Sequence, residues 1–354
     1  STAEGRRSPE GGRDDEMIIG MHAPDGFLEP GVAVATGLLA LAVIGLCLRR
    51  ASGELGDRQI PLAGLAAAFI FAAQMFNFPV AAGTTGHLLG GALAAILLGP
   101  WVGTLVVTVV VVAQALLFAD GGLTALGYNL VNMAIVPAFA GWALYLLFRR
   151  VLPANRGGVV AAGGLAAGTS VVLSATAFSI EWLFGASAPI PFDTVFGAMV
   201  GVHVLIGIGE GLLSALVLGA VLASRPDLVA GARDLSAAQL AAGRQVPVRT
   251  FVVGGLLAAV FVAAVVSQFA ADDPDGLERV AMDEGFESSA RDHALTASPF
   301  ADYATEGIDD ERLSLAVAGV AGVTVTLLVG YGLASASRRL SPAPAAPERA
   351  TPVG

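Results

Sequence analysis

No lysine occurs anywhere in the 354 residues; all 19 basic side chains are arginine. A phosphate-cradling P-loop needs a lysine to reach the phosphates. The chain therefore carries no ordinary site of that kind and cannot itself be the ATPase of a pump. Cysteine is nearly missing too: Cys47 stands alone inside an apolar run, which excludes a disulfide framework. No His-Glu-x-x-His occurs, which removes a zinc-protease reading. Charge is scarce, at 14% of residues against 55% hydrophobic, where soluble domains carry roughly a quarter.

What fills the chain instead is Ala, Val, Leu and Gly in long uncharged blocks. Runs of about 20 such residues read as membrane spans. They fall near 31–48, 61–78, 101–118, 124–148, 157–184, 194–223, 250–270 and 313–336, with a shorter block at 87–98 stopped by Gly99-Pro100. The expected fold class is all-α: a polytopic membrane helix bundle of about seven membrane segments, plus two further spans. Residues 1–20 read as a disordered polar extension with no signal-peptide core. Residues 21–223 form the unit with the candidate site, 224–249 a cytoplasmic linker, and 250–340 a two-span module with an acidic loop at 271–312. Residues 341–354 are a Pro/Ala-rich tail.

The net charge of -10 is localised: 271–312 holds 13 acids against 3 arginines, and the rest of the chain balances at 16 of each. Arginine pairs close three spans, at Arg49-Arg50, Arg149-Arg150 and Arg338-Arg339, and Arg58, Arg156, Arg225, Arg233, Arg244 and Arg249 fall in connectors on the same side. Positive charge stays cytoplasmic. The expectation is a multi-pass protein of the plasma membrane, with nine crossings and an extracytoplasmic N-terminus. Asp120, Glu181, Asp193 and the acidic loop then lie outside, the loop read first as a soluble segment and second as a field that concentrates divalent cations.

Of the four histidines, His22 and His87 each sit at the outer head of an apolar run. Were Met21 the first residue, its amine and the His22 backbone nitrogen would close a five-membered ring on a metal, and that nitrogen with the His22 imidazole a six-membered one. Three coplanar nitrogens from two residues, completed by His87, suit Ni(II), and also Co(II). Pro24-Asp25-Gly26 would turn the peptide toward the bundle. His203 and Glu210 stand seven apart on one span face, and an ionisable group in a membrane is a functional candidate. They read as an interhelical pair or a coupling contact. Alternatively they are the relay of a proton-coupled secondary carrier. Gln74, Asn77, Asn129 and Asn132 read first as interhelical hydrogen bonders, and second as groups that orient ligands. His293 reads as solvated and Cys47 as packing.

Four blocks, MHAPDGFLEPG, GTTGHLLGGALAAILLGPWVG, QALLFADGGLTALGYN and HVLIGIGEGLLSAL, resemble in order the CbiM/NikM substrate-binding subunits of energy-coupling-factor transporters for cobalt and nickel. The resemblance covers about residues 21–223 and implies metal ligation by Met21, His22 and His87. Pro274-Asp275-Gly276-Leu277-Glu278 resembles a PDGLE/CbiN-type accessory module, fused here to the binding subunit. The implied protein is a transporter subunit rather than an enzyme. It has no resident cofactor and carries Co(II) or Ni(II) as cargo. The implied partners are a transmembrane coupling subunit of the CbiQ/NikQ type, a pair of ATP-binding cassette ATPases of the CbiO/NikO type and the lipid bilayer, with no nucleic acid. The family's free amine conflicts with the 20 residues ahead of Met21, so a start at or near Met21 is expected.

Overall fold

The computed structural model describes residues 22–53, 56, 59–81, 83–240 and 245–339. The polar extension, Met21 and the tail expected above lie outside the described residues. Helix α1 (Pro30–Ala51) opens on a proline, whose missing N–H costs nothing in a first turn, and ends on Arg49 and Arg50, which suit a helix C-terminus. Then come α2 (Gln59–Gln74), a short ribbon of β1 (Phe78–Ala81) and β2 (Thr84–Gly86), α3 (Gly91–Leu98) and α4 (Pro100–Leu117). Helix α5 (Leu126–Asn129) continues through a π turn (Leu130–Ile135) into α6 (Val136–Arg149). Pro137 explains the π turn: it cannot donate to the ladder, and the backbone re-pairs one residue wider. Two long helices follow, α7 (Arg156–Gly185) and α8 (Phe192–Ser224). Helix α9 (Val248–Ala264), short α10 (Gly276–Glu284) and α11 (Glu311–Arg339) complete the chain.

Among the described residues, 7 helical stretches are long and apolar enough to cross a membrane: α1, α4, the α5–α6 run, α7, α8, α9 with its 3-10 end, and α11. Helix α2 has 16 residues and α3 only 8; both are sheathed by the others. The protein is a mostly helical, multi-pass membrane bundle, as its composition leads one to expect. Helices α7 and α8 pack backbone to backbone. Gly164 and Gly168 face Gly211 and Gly207, and a Cβ on Gly168 would stand 2.5 Å from the Gly207 carbonyl oxygen. Lipid tails offer no hydrophobic drive between helices, so small residues gain close van der Waals contact instead.

Three stretches have more structure than their sequence suggests. The stretch between the apolar runs 61–78 and 87–98 folds as an antiparallel ribbon pairing Phe78 with Gly86 and Pro79 with Thr85. Phe78, Val80, Thr84 and Thr85 favour strands, and Gly83 takes the positive φ of 69° beside the turn. The polar stretch after α8 is not a bare linker: Leu228, Val229, Ala232 and Leu240 are buried, and the Tyr145 hydroxyl donates to the Gly231 carbonyl. The acidic stretch folds onto the bundle end where α1 begins. Phe286 is fully buried there, its ring 5.1 Å from Phe27 and 4.6 Å from Trp182. Four main-chain hydrogen bonds fasten it: Ala271 N to Asn77 O, Thr85 N to Pro274 O, Arg291 N to Asp25 O and Asp302 N to Phe118 O. His293, expected to be solvated, is half-buried, and its Nδ1 accepts from the Leu295 amide.

Candidate metal-binding site

His22 lies in a segment with no helix of its own, so its backbone groups pair with neighbours. The Ala23 carbonyl accepts from Asn129 Nδ2 at 2.9 Å and from the Gly122 amide at 3.1 Å. The Tyr128 hydroxyl donates to Pro24 O, and Ser187 Oγ to Phe27 O. Asp25 is the pin of the segment. Its Oδ1 accepts from Thr124 N, Thr124 Oγ1 and Ala125 N at 2.7, 2.6 and 3.0 Å. Those amides precede α5, where a helix start leaves donors in need of an acceptor. The His22 amide donates to Asp120 Oδ1 at 3.2 Å, and Asp120 Oδ2 accepts from the Tyr303 hydroxyl at 2.6 Å.

His87 follows the ribbon and is held just as firmly. The Leu89 and Gly90 amides donate to the two carboxyl oxygens of Glu210 at 2.7 and 3.1 Å. Gln74 Nε2 donates to the Leu89 carbonyl at 3.0 Å. Glu210, fully buried on α8, is thus a clamp on the loop that carries His87. His203, on the same helix, spends its Nδ1 proton on the Met199 carbonyl at 2.7 Å. Neither residue's hydrogen bond runs toward the other. Gln74 and Asn129 brace the two histidine segments, while Asn132 Nδ2 donates to Glu181 at 2.6 Å across α7.

The two rings meet with centroids 5.8 Å apart and planes tilted by 60°. Metal–nitrogen bonds of about 2 Å put each bound ring's centroid roughly 3 Å from the ion, so one ion can span the pair. His22 is 2% exposed, and among the described residues neither of its ring nitrogens has a hydrogen-bond partner. Burial lowers its pKa, against the opposing pull of Asp120. The ring is therefore held neutral, which is the ligand form. Between the rings lies a cavity of about 80 Å³, lined also by His203, Asn129, Asn132 and Asp275. Among the described residues no three His, Cys, Asp or Glu side chains converge to hold a metal by themselves. Two imidazoles alone are a weak site, and backbone or amine nitrogens would have to complete it. Met21, the expected source, lies outside the described residues.

Asp275 and Gly276 reach this cavity from the acidic stretch, which the sequence alone did not suggest. The signal was present as a helix-start pattern. Asp275 Oδ1 accepts from Leu277 N and Glu278 N at 2.8 Å each, and Glu278 reaches back to the Asp275 amide, forming a capping box. Gly276 permits contact with α8, since a Cβ there would meet Ile206 Cδ1 at 2.5 Å and His203 Cε1 at 3.1 Å. Burial pushes the Asp275 carboxyl up to about 7, while its two amide donors pull the other way. A cation alongside would favour the ionised form. Asp120, sequence-legible only as an outer acid, proves to be the group that holds the His22 amide.

Residues 22–228 match the family model described as "cobalt uptake substrate-specific transmembrane region" of CbiM, and residues 249–339 match the PDGLE domain. A putative fused nickel transport protein NikMN of Archaeoglobus fulgidus is 34% identical over 323 residues, covering 90% of this chain and 99% of that one. The fused nickel transport protein NikMN of Rhodobacter capsulatus is 30% identical over 347 residues, covering 91% and 99%. A crystal structure of a truncated transition metal transporter superposes with a TM-score of 0.50 at 30% identity, over 57% of this chain and 98% of that one.

Proposed function

Because this chain belongs to the CbiM family of cobalt uptake transmembrane proteins and carries a PDGLE domain behind that region, we propose that it is the metal-binding subunit of an ATP-driven importer of the energy-coupling-factor type. Its cargo is Ni(II) or Co(II), captured at the extracytoplasmic face. The observation that carries this reading is the pair of imidazoles, His22 and His87, with centroids 5.8 Å apart on separately clamped segments. The proposed donors are the Met21 amine, the His22 backbone nitrogen and ring, and the His87 ring. A metal–amide bond displaces the His22 amide proton, which points at Asp120. Four nitrogens in a square suit Ni(II) best, and the two relatives that cover at least 90% of this chain are named nickel transport proteins.

The absence of lysine fits a subunit that leaves ATP hydrolysis to partners: a CbiQ/NikQ-type coupling protein and CbiO/NikO-type ATPases. In this reading residues 21–223 bind the metal and 250–340 form the accessory module, a division that the separate family matches at 22–228 and 249–339 support. The arginine-rich ends of α1, α6 and α11 support a cytoplasmic side opposite the histidines. Cysteine placed at Ser288 is expected to react with an impermeant reagent on intact cells, and cysteine at Ser236 only after lysis. The reverse pattern would invert the topology.

The donor set is tested by calorimetry with Ni(II) and Co(II) on two chains. One begins at Met21; the other keeps residues ahead of it, which turn the amine into an amide. The blocked chain is expected to bind at least about tenfold more weakly, as loss of a coordinating group demands. Equal tight binding would leave a site built on the histidines alone.

A further inference from the structure

Beside the histidine pocket lies a larger cavity, of about 580 Å³, enclosed between the acidic stretch, the ends of α9 and α11, and the body of the bundle. Its walls grade from exposed to buried carboxylates. Asp272, Asp273 and Asp302 are exposed and Glu278 is half-buried, while Asp120 and Asp275 are 2% and 6% exposed. Arg312 also lines it, so the acids outnumber the positive charge facing them. The two cavities share one residue, Asp275. Asp120 closes the deep end, with Oδ1 3.7 Å from His22 Nδ1. That imidazole lines the smaller cavity, is almost fully buried and has no hydrogen-bond partner on either nitrogen among the described residues, so Asp120 stands between the acidic wall and a ring able to ligate.

We propose that this acidic vestibule is the route by which hydrated divalent cations reach the histidine pocket, with Asp275 of the accessory module as the carboxylate at the threshold. The inference rests on the metal-binding reading above. Oxygen ligands suit a hydrated ion and nitrogen ligands a late transition metal that has shed its water. The carboxylates therefore concentrate and pass on the ion without competing for it at the end. A cleft lined by one sign of charge focuses its field and raises association rates by roughly 10- to 1,000-fold. The accessory module thereby contributes to affinity through the capture rate, and the histidines through slow release.

The test is stopped-flow mixing with Ni(II) of the full chain, with the N-terminus its host leaves on it, followed by ultraviolet charge-transfer absorbance. One variant combines Asp272→Asn, Glu278→Gln and Asp302→Asn. Glutamine preserves the capping box, and asparagine tolerates the φ of 53° at position 302. A second, Asp275→Asn, keeps an acceptor for the two amides. Each is expected to lower the association rate constant about tenfold and to leave the dissociation rate constant unchanged. On the unaltered protein, about 0.5 M NaCl should slow association toward the variant's rate, because screening removes the field. Unchanged association in both variants, or salt-independent association by the unaltered protein, would overturn the route. A rise confined to the dissociation rate constant would make these acids ligands instead. If the unaltered protein binds neither Ni(II) nor Co(II), the metal-binding reading fails and the route with it. If it binds and only the variants' rates fail to change, the route alone falls.

Discussion

His87→Ala is expected to lower affinity for Ni(II) by more than the roughly 10- to 100-fold that loss of a ligand-supporting residue costs, with little change in thermal stability. The ring borders a cavity rather than filling a core, so its removal enlarges space already present. The loop that carries it is clamped by Glu210 and Gln74, which the substitution leaves alone. Titration calorimetry and thermal unfolding in detergent check the two halves of the expectation. Full affinity in this variant would mean that the cavity between the rings is not where the metal sits.

Glu210→Ala is expected to damage both quantities at once. It orphans the Leu89 and Gly90 amides, each a buried donor whose loss of partner costs about 1–3 kcal/mol. The loop then loses its register against α8, and His87 with it. A fall in both the unfolding midpoint and the Ni(II) affinity is the expected outcome, with Glu210→Gln intermediate because it keeps an acceptor. A Glu210→Gln protein that folds and binds normally but no longer drives uptake would point instead to the proton-coupled carrier, with Glu210 in the relay.

The spans were legible because lipid leaves a chain few options: uncharged runs of sufficient length must be helices. Every apolar run from 31–48 to 313–336 contains a helix, although the run at 61–78 ends in strand β1 and the run at 87–98 is helical only from Gly91. The ribbon at Phe78–Gly86 was missed because seven or so residues rich in glycine carry no usable periodicity. His22 and His87 stood out because a histidine at the head of an apolar run is rare. What holds them was legible only in part: Gln74 and Asn129, weighed as groups that orient ligands, brace the two segments. Glu210 looked like half of a pair with His203, since both lie on one helix face. Its actual partners are backbone amides, which leave no trace in a side-chain pattern. Asp275 was hidden for a different reason. It comes from a segment read as solvated on account of its charge, and charge describes a segment's solubility, not the surface it lies on.

Part of the joint between the acidic stretch and the bundle is main chain, through the four amide-to-carbonyl bonds at Asn77, Thr85, Asp25 and Phe118; the rest is side chain, with Phe286 on Phe27 and Trp182 and the Tyr303 hydroxyl on Asp120. Amides are the same whatever side chains flank them, so the main-chain part of the joint tolerates drift in sequence. That part also carries little information about which partner to choose, and the buried aromatic contacts supply it. Covalent linkage removes the need for that choice. It holds the two faces at an effective concentration of order millimolar, so the contact needs less intrinsic affinity than it would between separate chains.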